Sequence, residues 1–315
     1  MGVINGLVIL RSLSLLFFYI LTTSRPSQWL KNFVVFIPVL FSFNESWVFN
    51  GQDSLGALFL NAILAFLAFT FITIAIYFIN DILDKDNDRK HPIKKTRPIS
   101  SGELAIRKAI YVSVSCIFIA FSISLMVNLD LALAIFSYFI LMLFYSYFLK
   151  EIIFLDVISI ALGFIIRVIA GALAISVPIS SWICICMLFG ALFIAFSKRL
   201  SEIWNNGDGA SLQRPVLRTY SRLNKKISIF GVSIIMLATI ISYSLYTIFA
   251  TNLPMNNSML LTVPVVCVGM VRYFYIVVKF NLGERPEIII VKDHVMRTVI
   301  ITWIGVVALI LYLWR

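Results

Sequence analysis

The stretch "YFINDILDKDNDRKHPIKKTRPISSG", Tyr77 to Gly102, ends a long apolar run with charge of both signs. Asn80, Asp81, Asp84, Asp86 and Asp88 come first; Arg89, Lys90, Lys94, Lys95 and Arg97 follow. If the helix of the apolar run continues to Lys90, before Pro92 ends it, a turn of about 100° per residue puts Asn80, Asp81, Asp84 and Asp88 in one sector about 100° wide. Asp86 then points to the opposite side. Neighbours three or four apart on a helix are about 5–6 Å from one another. Like charges about 4 Å apart repel by about 1 kcal/mol in water and about 4 kcal/mol at an effective dielectric of about 20. The acids also stand at the carboxyl end of their helix, where the dipole disfavours negative charge. Hard oxygen ligands at this spacing suit Mg²⁺, which keeps waters and shares its shell with a substrate's phosphates. The plainer alternative is a solvated helix end whose acids pair with Arg89, Lys90 and Lys94, and it leaves the dipole cost unexplained.

Around this cluster the chain is 61% hydrophobic and only 13% charged over 315 residues, with a mean hydropathy of +0.98. Soluble domains carry about a quarter charged residues, so this is an integral membrane protein. Its fold class is all-α. At about 20 apolar residues per crossing, nine spans are predicted: 27–44, 55–79, 105–126, 129–149, 152–176, 179–199, 226–250, 258–280 and 294–314. Residues 1–24 are read as an interfacial helix, with a tenth span as the alternative, and 25–315 as one transmembrane catalytic domain. No basic n-region or small-residue cleavage site precedes Arg25, which argues against a signal peptide. Cys116, Cys184, Cys186 and Cys267 lie in apolar runs without metal-ligand spacing and read as packing residues.

Loop charge orients the chain. The links 45–54, 127–130, 177–181 and 251–257 carry no Lys or Arg, whereas 81–108 holds eight, 198–226 seven and 279–297 four. The basic side is therefore cytoplasmic. The amino terminus is expected inside and, after nine spans, the carboxyl terminus outside, in the plasma (inner) membrane. Basic loops that orient the chain and attract anionic headgroups also account for the net charge of +11, so no nucleic-acid partner is expected.

Charges inside a bilayer are costly and mark function by default. Asp156, Ser159, Gly163 and Arg167 recur on one face of the fifth predicted span. Asp156 and Arg167 are about 16 Å apart along a helix, too far to be each other's only partner. The stripe is expected to line a polar cavity, with burial of a self-satisfied pair as the alternative. Arg25, Gln28, Lys31 and Asn32 share a sector at the cytoplasmic end of the first predicted span, where positive-inside anchoring is the competing explanation. Tyr145 and Lys150 serve equally as an interface aromatic and a snorkelling lysine. Lys198 and Glu202 have the spacing of a helix-surface pair, Arg199 and Arg214 remain phosphate-binding candidates, and Arg272 reads as a helix–helix polar contact.

"NDILDKDND" at 80–88 fits NDxxDxxxD, and with it the chain resembles the UbiA-type prenyltransferase superfamily, nine-helix membrane enzymes that bind diphosphates through Mg²⁺. "RPSQWLKNFVVFIP" at 25–38, "RKHPIKKTRPISSGEL" at 89–104, "YSYFLKEIIFLDVISIALGFIIRVIAGALAI" at 145–175, "FSKRLSEI" at 196–203 and "RPVLRTYS" at 214–221 are similar to its polyprenyl-phosphate phosphoribosyltransferase branch. The second DxxxD of the aromatic prenyltransferases is missing: the corresponding region reads "KRLSEIWNNGDGASLQR", with Glu202 and Asp208 only. The resemblance implies a UbiA-like bundle whose polar cavity opens to the cytoplasm. It implies Mg²⁺-dependent transfer of 5-phosphoribose from 5-phosphoribosyl diphosphate to a polyprenyl phosphate, with prenyl transfer to an aromatic acceptor as the alternative. Asn80, Asp81, Asp84 and Asp88 would hold the metal. Arg25, Gln28, Lys31, Asn32, Lys95, Arg97, Tyr145, Lys150, Arg167, Lys198, Arg199, Glu202 and Arg214 would bind and orient the substrates, and Asp156 would meet a ribose hydroxyl or a metal-bound water. A cation-coupled transporter is disfavoured, because the acids gather at one membrane face rather than in broken helices at mid-depth. The number of subunits is not legible in the sequence.

Overall fold

The structure, a computed structural model, describes residues 14–42, 55–90, 92–206, 220 and 224–314. Every element among them is helical. A short helix α1 (Ser14–Ser24) leads into a 3₁₀ segment (Pro26–Phe36) and α2 (Ile37–Phe41). The long α3 (Leu55–Leu83) is followed by α4 (Lys85–Lys90), a 3₁₀ turn (Lys94–Thr96) and α5 (Pro98–Ser101). Then come α6 (Ile106–Val127), α7 (Leu129–Tyr147), α8 (Leu155–Ala174), α9 (Ser181–Asn206), α10 (Lys225–Phe249), α11 (Val263–Phe280), α12 (Pro286–Lys292) and α13 (His294–Leu313).

Eight of the described helices are long and apolar enough to cross a membrane: α3, α6 to α11 and α13. The first of the nine predicted spans, 27–44, is not among them, and its last two residues lie outside the described ones. Pro26 opens that segment and Pro38 follows the 3₁₀ stretch, so α-helical hydrogen bonding is confined to the five residues of α2. Of the predicted amino-terminal helix, only Ser14–Ser24 falls within the described residues.

Two packed groups form the bundle. One core joins α3, α6, α7 and α8 through residues such as Phe69, Ile72, Leu131 and Ile135. Two others join α9, α10, α11 and α13 around Tyr246, Met259, Val307, Phe193 and Tyr273. Helix α3 is apolar on all sides and the most buried of the spans, as a central helix must be. Large apolar side chains such as Phe118, Met126 and Ile301 point outward, the surface that lipid covers.

The 3₁₀ segment lies directly against α8 at Gly171. A Cβ there would stand 2.1 Å from the Val35 carbonyl oxygen, so only glycine permits the approach. Gly171→Ala is therefore expected to lower stability by about 3 kcal/mol, the upper end for overpacking. In the interior of α9, a Cβ on Gly190 meets nothing nearer than 3.7 Å, and Gly190→Ala should be neutral or stabilising by up to about 1 kcal/mol. Thermal unfolding of the two variants in detergent measures the contrast.

Candidate active site

The acidic face predicted from Tyr77 to Gly102 forms. Helical bonding runs through the break between α3 and α4, with Asp84 N–H donating to Asn80 O at 2.9 Å and Asp88 N–H to Asp84 O at 2.8 Å. Asp81, 1% exposed, and Asp88 turn inward together, whereas Asp86 faces solvent. Three cations from three separate segments meet three carboxylates. Arg25 donates to Asp81 Oδ1, Arg97 Nη1 bridges Asp81 Oδ1 at 3.1 Å and Asp88 Oδ2 at 2.6 Å, and Lys150 Nζ contacts Asp84 Oδ1 at 2.6 Å. Among the described residues the acids form no ion pair with Lys90 or Lys94 as in the solvated alternative, and Arg89 meets Asp86 at 3.8 Å and donates to the Ser100 carbonyl at 3.1 Å.

Local backbone explains how these cations arrive. Arg25 takes a left-handed conformation, φ 51°, which turns the chain from α1 into the 3₁₀ segment and lays its guanidinium 4.9 Å from the centre of the Tyr77 ring. A strained non-glycine residue of this kind is a mark of a functional site. Arg97 is extended ahead of Pro98, as a residue before proline prefers, so its side chain reaches back to α3 and α4. Lys150 sits in the short 3₁₀ turn Leu149–Glu151 between α7 and α8, and its side chain is only 13% exposed.

The donor set fits a hard divalent cation. Asn80 Oδ1 is buried without a hydrogen-bond partner, and each ion pair above uses one oxygen of its carboxylate. Among the described residues no three His, Cys, Asp or Glu side chains converge on one point. Mg²⁺ needs no such cage, because one or two carboxylates, waters and substrate phosphates complete its shell.

Asp156, expected at a ribose hydroxyl or a metal-bound water, has both oxygens engaged by the protein. Arg199 Nε donates to its Oδ2 at 2.6 Å and Tyr220 Oη to its Oδ1 at 3.1 Å, all in buried surroundings. Burial pushes the Tyr220 phenol upward, so it keeps its proton and donates. The same hydroxyl accepts from the Phe154 N–H at 3.0 Å, and Phe154 starts α8 with φ 65°. Arg199 also donates to Glu202, which Lys198 approaches at 3.9 Å.

Arg167 is likewise enclosed. It donates to Asn32 Oδ1 at 2.9 Å, Gly163 O at 2.8 Å and Tyr138 Oη at 2.6 Å, with its guanidinium 4.5 Å from the Tyr138 ring centre. Asn32 passes the connection to Thr70 at 3.2 Å. The stripe from Asp156 to Arg167 thus shares one face as predicted, and Asp156, Ser159, Gly163 and Arg167 are all buried. Arg167 ties the 3₁₀ segment to α7 and α8. Elsewhere lie a groove of about 510 Å³ beside Pro264, Val268, Val295 and Thr302, and a small cavity at Phe41, Val168 and Asn252.

Of the other predicted residues, Gln28 donates to Glu287, Lys31 is half-buried with no ion pair among the described residues, and Tyr145 is half-buried within the field of Arg199. Lys95 is exposed, and Arg214 lies outside the described residues. Arg272 makes the helix–helix contact expected of it, a two-point pair with Asp293 at 2.8 and 3.3 Å, while Asp293 caps α13. Tyr77, Tyr138, Tyr220 and Glu287 were not predicted. Tyr77 stands three residues before Asn80, where the acidic motif begins, and Glu287 is a lone charge between Pro286 and three isoleucines. Tyr138 and Tyr220 carry no comparable local sign.

The model of the UbiA prenyltransferase family matches residues 35–288. The chain belongs to that family. It is 27% identical over 297 residues to the decaprenyl-phosphate phosphoribosyltransferase of Mycolicibacterium smegmatis, covering 91% of both chains. It is 26% identical to the decaprenyl-phosphate phosphoribosyltransferase of Corynebacterium glutamicum, covering 92% of this chain and 85% of that one. A UbiA homolog from Archaeoglobus fulgidus bound to GPP and Mg²⁺ superposes with a TM-score of 0.68 at 19% identity, over 93% of this chain and 99% of that chain, and so shares the fold. This UbiA-family chain is an integral membrane protein and a transferase.

Proposed function

We propose that the chain transfers 5-phosphoribose from 5-phosphoribosyl diphosphate to a long polyprenyl phosphate and releases diphosphate. The observation that carries this reading is the basic and acidic cluster, in which Arg25, Arg97 and Lys150 converge on the motif carboxylates. It offers acids for a metal and cations for phosphate oxygens at one spot, and arginine meets such oxygens two at a time. The two phosphoribosyltransferase relatives matched over nine-tenths of the chain, and the missing second DxxxD, support the phosphoribosyl donor over a prenyl one.

Asn80, Asp81, Asp84 and Asp88 would hold Mg²⁺, which when bound neutralises charge on the departing diphosphate. Arg97 and Lys150 orient the diphosphate as they exchange carboxylate for phosphate oxygens, and Arg25 keeps Asp81 in place. The bond from the anomeric carbon to the diphosphate oxygen breaks, and a lipid-phosphate oxygen forms the new bond from the opposite face. That phosphate is ionised at neutral pH, so no side chain need remove a proton. Asp156 and Arg167 act by position, Asp156 by holding Arg199 and Arg167 by fixing the 3₁₀ segment from which Arg25, Gln28 and Lys31 project. Eleven 3₁₀ residues and the five of α2 rise about 30 Å, enough to make this segment the ninth crossing. The amino terminus then lies in the cytoplasm, the carboxyl terminus outside, and the acidic site at the inner face of the plasma membrane.

Purified protein with radiolabelled 5-phosphoribosyl diphosphate, polyprenyl phosphate and Mg²⁺ is expected to give labelled lipid, with no product when either the lipid or the metal is left out. Turnover of a prenyl diphosphate with a phenolic acid, and none of the phosphoribosyl donor, would establish prenyl transfer instead.

A further inference from the structure

Glu287 is a carboxylate held out of water with little to satisfy it. It lies on α12, between α11 and α13, at 8% exposure. Its hydrogen-bond partner is neutral, the Gln28 amide of the 3₁₀ segment, and no described Lys or Arg comes within ion-pair distance. An ionised carboxylate offers about four acceptor sites, and burying it with one donor is costly unless something else supplies the rest.

Its surroundings are polar and likewise incompletely satisfied. Tyr273 on α11 is 3% exposed, and its hydroxyl is buried without a partner. Lys31 brings a cation that no described carboxylate neutralises at contact. The charge of Glu287 reaches Lys31, Tyr77 and Tyr273. Arg25 links this group to the acidic face, since it bonds to Asp81, lies over the Tyr77 ring and acts on Lys31. Arg25, which holds Asp81, and Gln28, which holds Glu287, thus stand three residues apart at the start of one segment.

We propose that Glu287 accepts the vicinal hydroxyl pair of the donor sugar, oriented by Gln28, and so selects a sugar diphosphate over a prenyl diphosphate; this rests on the phosphoribosyl reading above. A diol supplies two O–H donors to one carboxylate, which is what Glu287 lacks. A prenyl chain has no hydroxyl and would leave the carboxylate buried and unsatisfied, the arrangement that rejects a wrong substrate most strongly. Lys31, beside it, is placed for an anionic group on the same sugar.

The test compares 5-phosphoribosyl diphosphate with its 2-deoxy and 3-deoxy analogues, in wild type, Glu287→Gln and Glu287→Ala, with the full chain in detergent. Wild type is expected to prefer the ribose donor by about 10- to 100-fold in kcat/KM. Glu287→Ala should bring that preference to within about threefold, mainly through a higher KM for the ribose donor, without moving the Mg²⁺ dependence. Wild type that uses ribose and deoxyribose donors alike overturns the proposal even if neither variant folds. Variants that lose turnover yet keep the wild-type preference show a merely structural Glu287 and overturn it too. If wild type uses no phosphoribosyl donor at all, the underlying function falls and takes this assignment with it.

Discussion

Asp84→Asn is expected to cut phosphoribosyl transfer by about 10²- to 10³-fold while leaving the protein folded. Asp84 stands midway along the acidic face, and its described cation partner is Lys150, at 2.6 Å. The asparagine keeps the shape and still accepts one hydrogen bond from Lys150, so what disappears is negative charge for a divalent cation. Lys150→Met is the matched comparison. It removes a phosphate-binding cation but leaves the acids whole, and should raise the KM for the diphosphate donor about tenfold with a smaller change in kcat. Initial rates across a Mg²⁺ titration separate the two, because only Asp84→Asn should shift the metal dependence. Equal kcat losses in both variants with no change in metal dependence would mean that the pair matters as an ion pair alone.

Arg199→Met is expected to destabilise the protein by about 3–5 kcal/mol, the range for breaking one side of a buried charge pair. Asp156 is fully buried, and Arg199 is the cation on it, at 2.6 Å. Without that guanidinium the carboxylate keeps, among the described residues, only the Tyr220 hydroxyl. The double variant Asp156→Leu with Arg199→Met removes both charges and should recover part of the loss, since well-packed apolar replacements of buried pairs are often neutral. Unfolding in detergent, with folded yield as a second reading, measures both. A single-variant loss under about 1 kcal/mol would show that water reaches the pair.

What was legible in the sequence follows a physical division. The acidic face was, because Asn80, Asp81, Asp84 and Asp88 share it through helical period alone, and that period survives the small break at Asp84. The long apolar runs were legible for the same reason, and each of the eight long spans falls where hydropathy put it. The winding of the segment 27–44 was not legible, because apolar content does not reveal hydrogen-bond register, and Pro26–Phe36 winds as a 3₁₀ helix. Partnerships across the fold were hidden as well. Arg25 meets Asp81 from 56 residues away, Lys150 meets Asp84 from 66, and Arg167 meets Asn32 from 135. Glu287, a lone charge in an apolar stretch, is buried on α12 against Gln28, which spacing does not reveal. Spacing predicts which side chains share a face, whereas burial and long-range partners come only from packing.

The three-against-three balance of Arg25, Arg97 and Lys150 with Asp81, Asp88 and Asp84 bears on how the enzyme idles. Carboxylates massed for a metal would otherwise push one another apart whenever that metal was scarce. Here the resting molecule carries its own counterions, so on the proposed Mg²⁺ reading a shortage of magnesium would silence the chemistry without loosening the scaffold, and resupply would find the cradle already assembled.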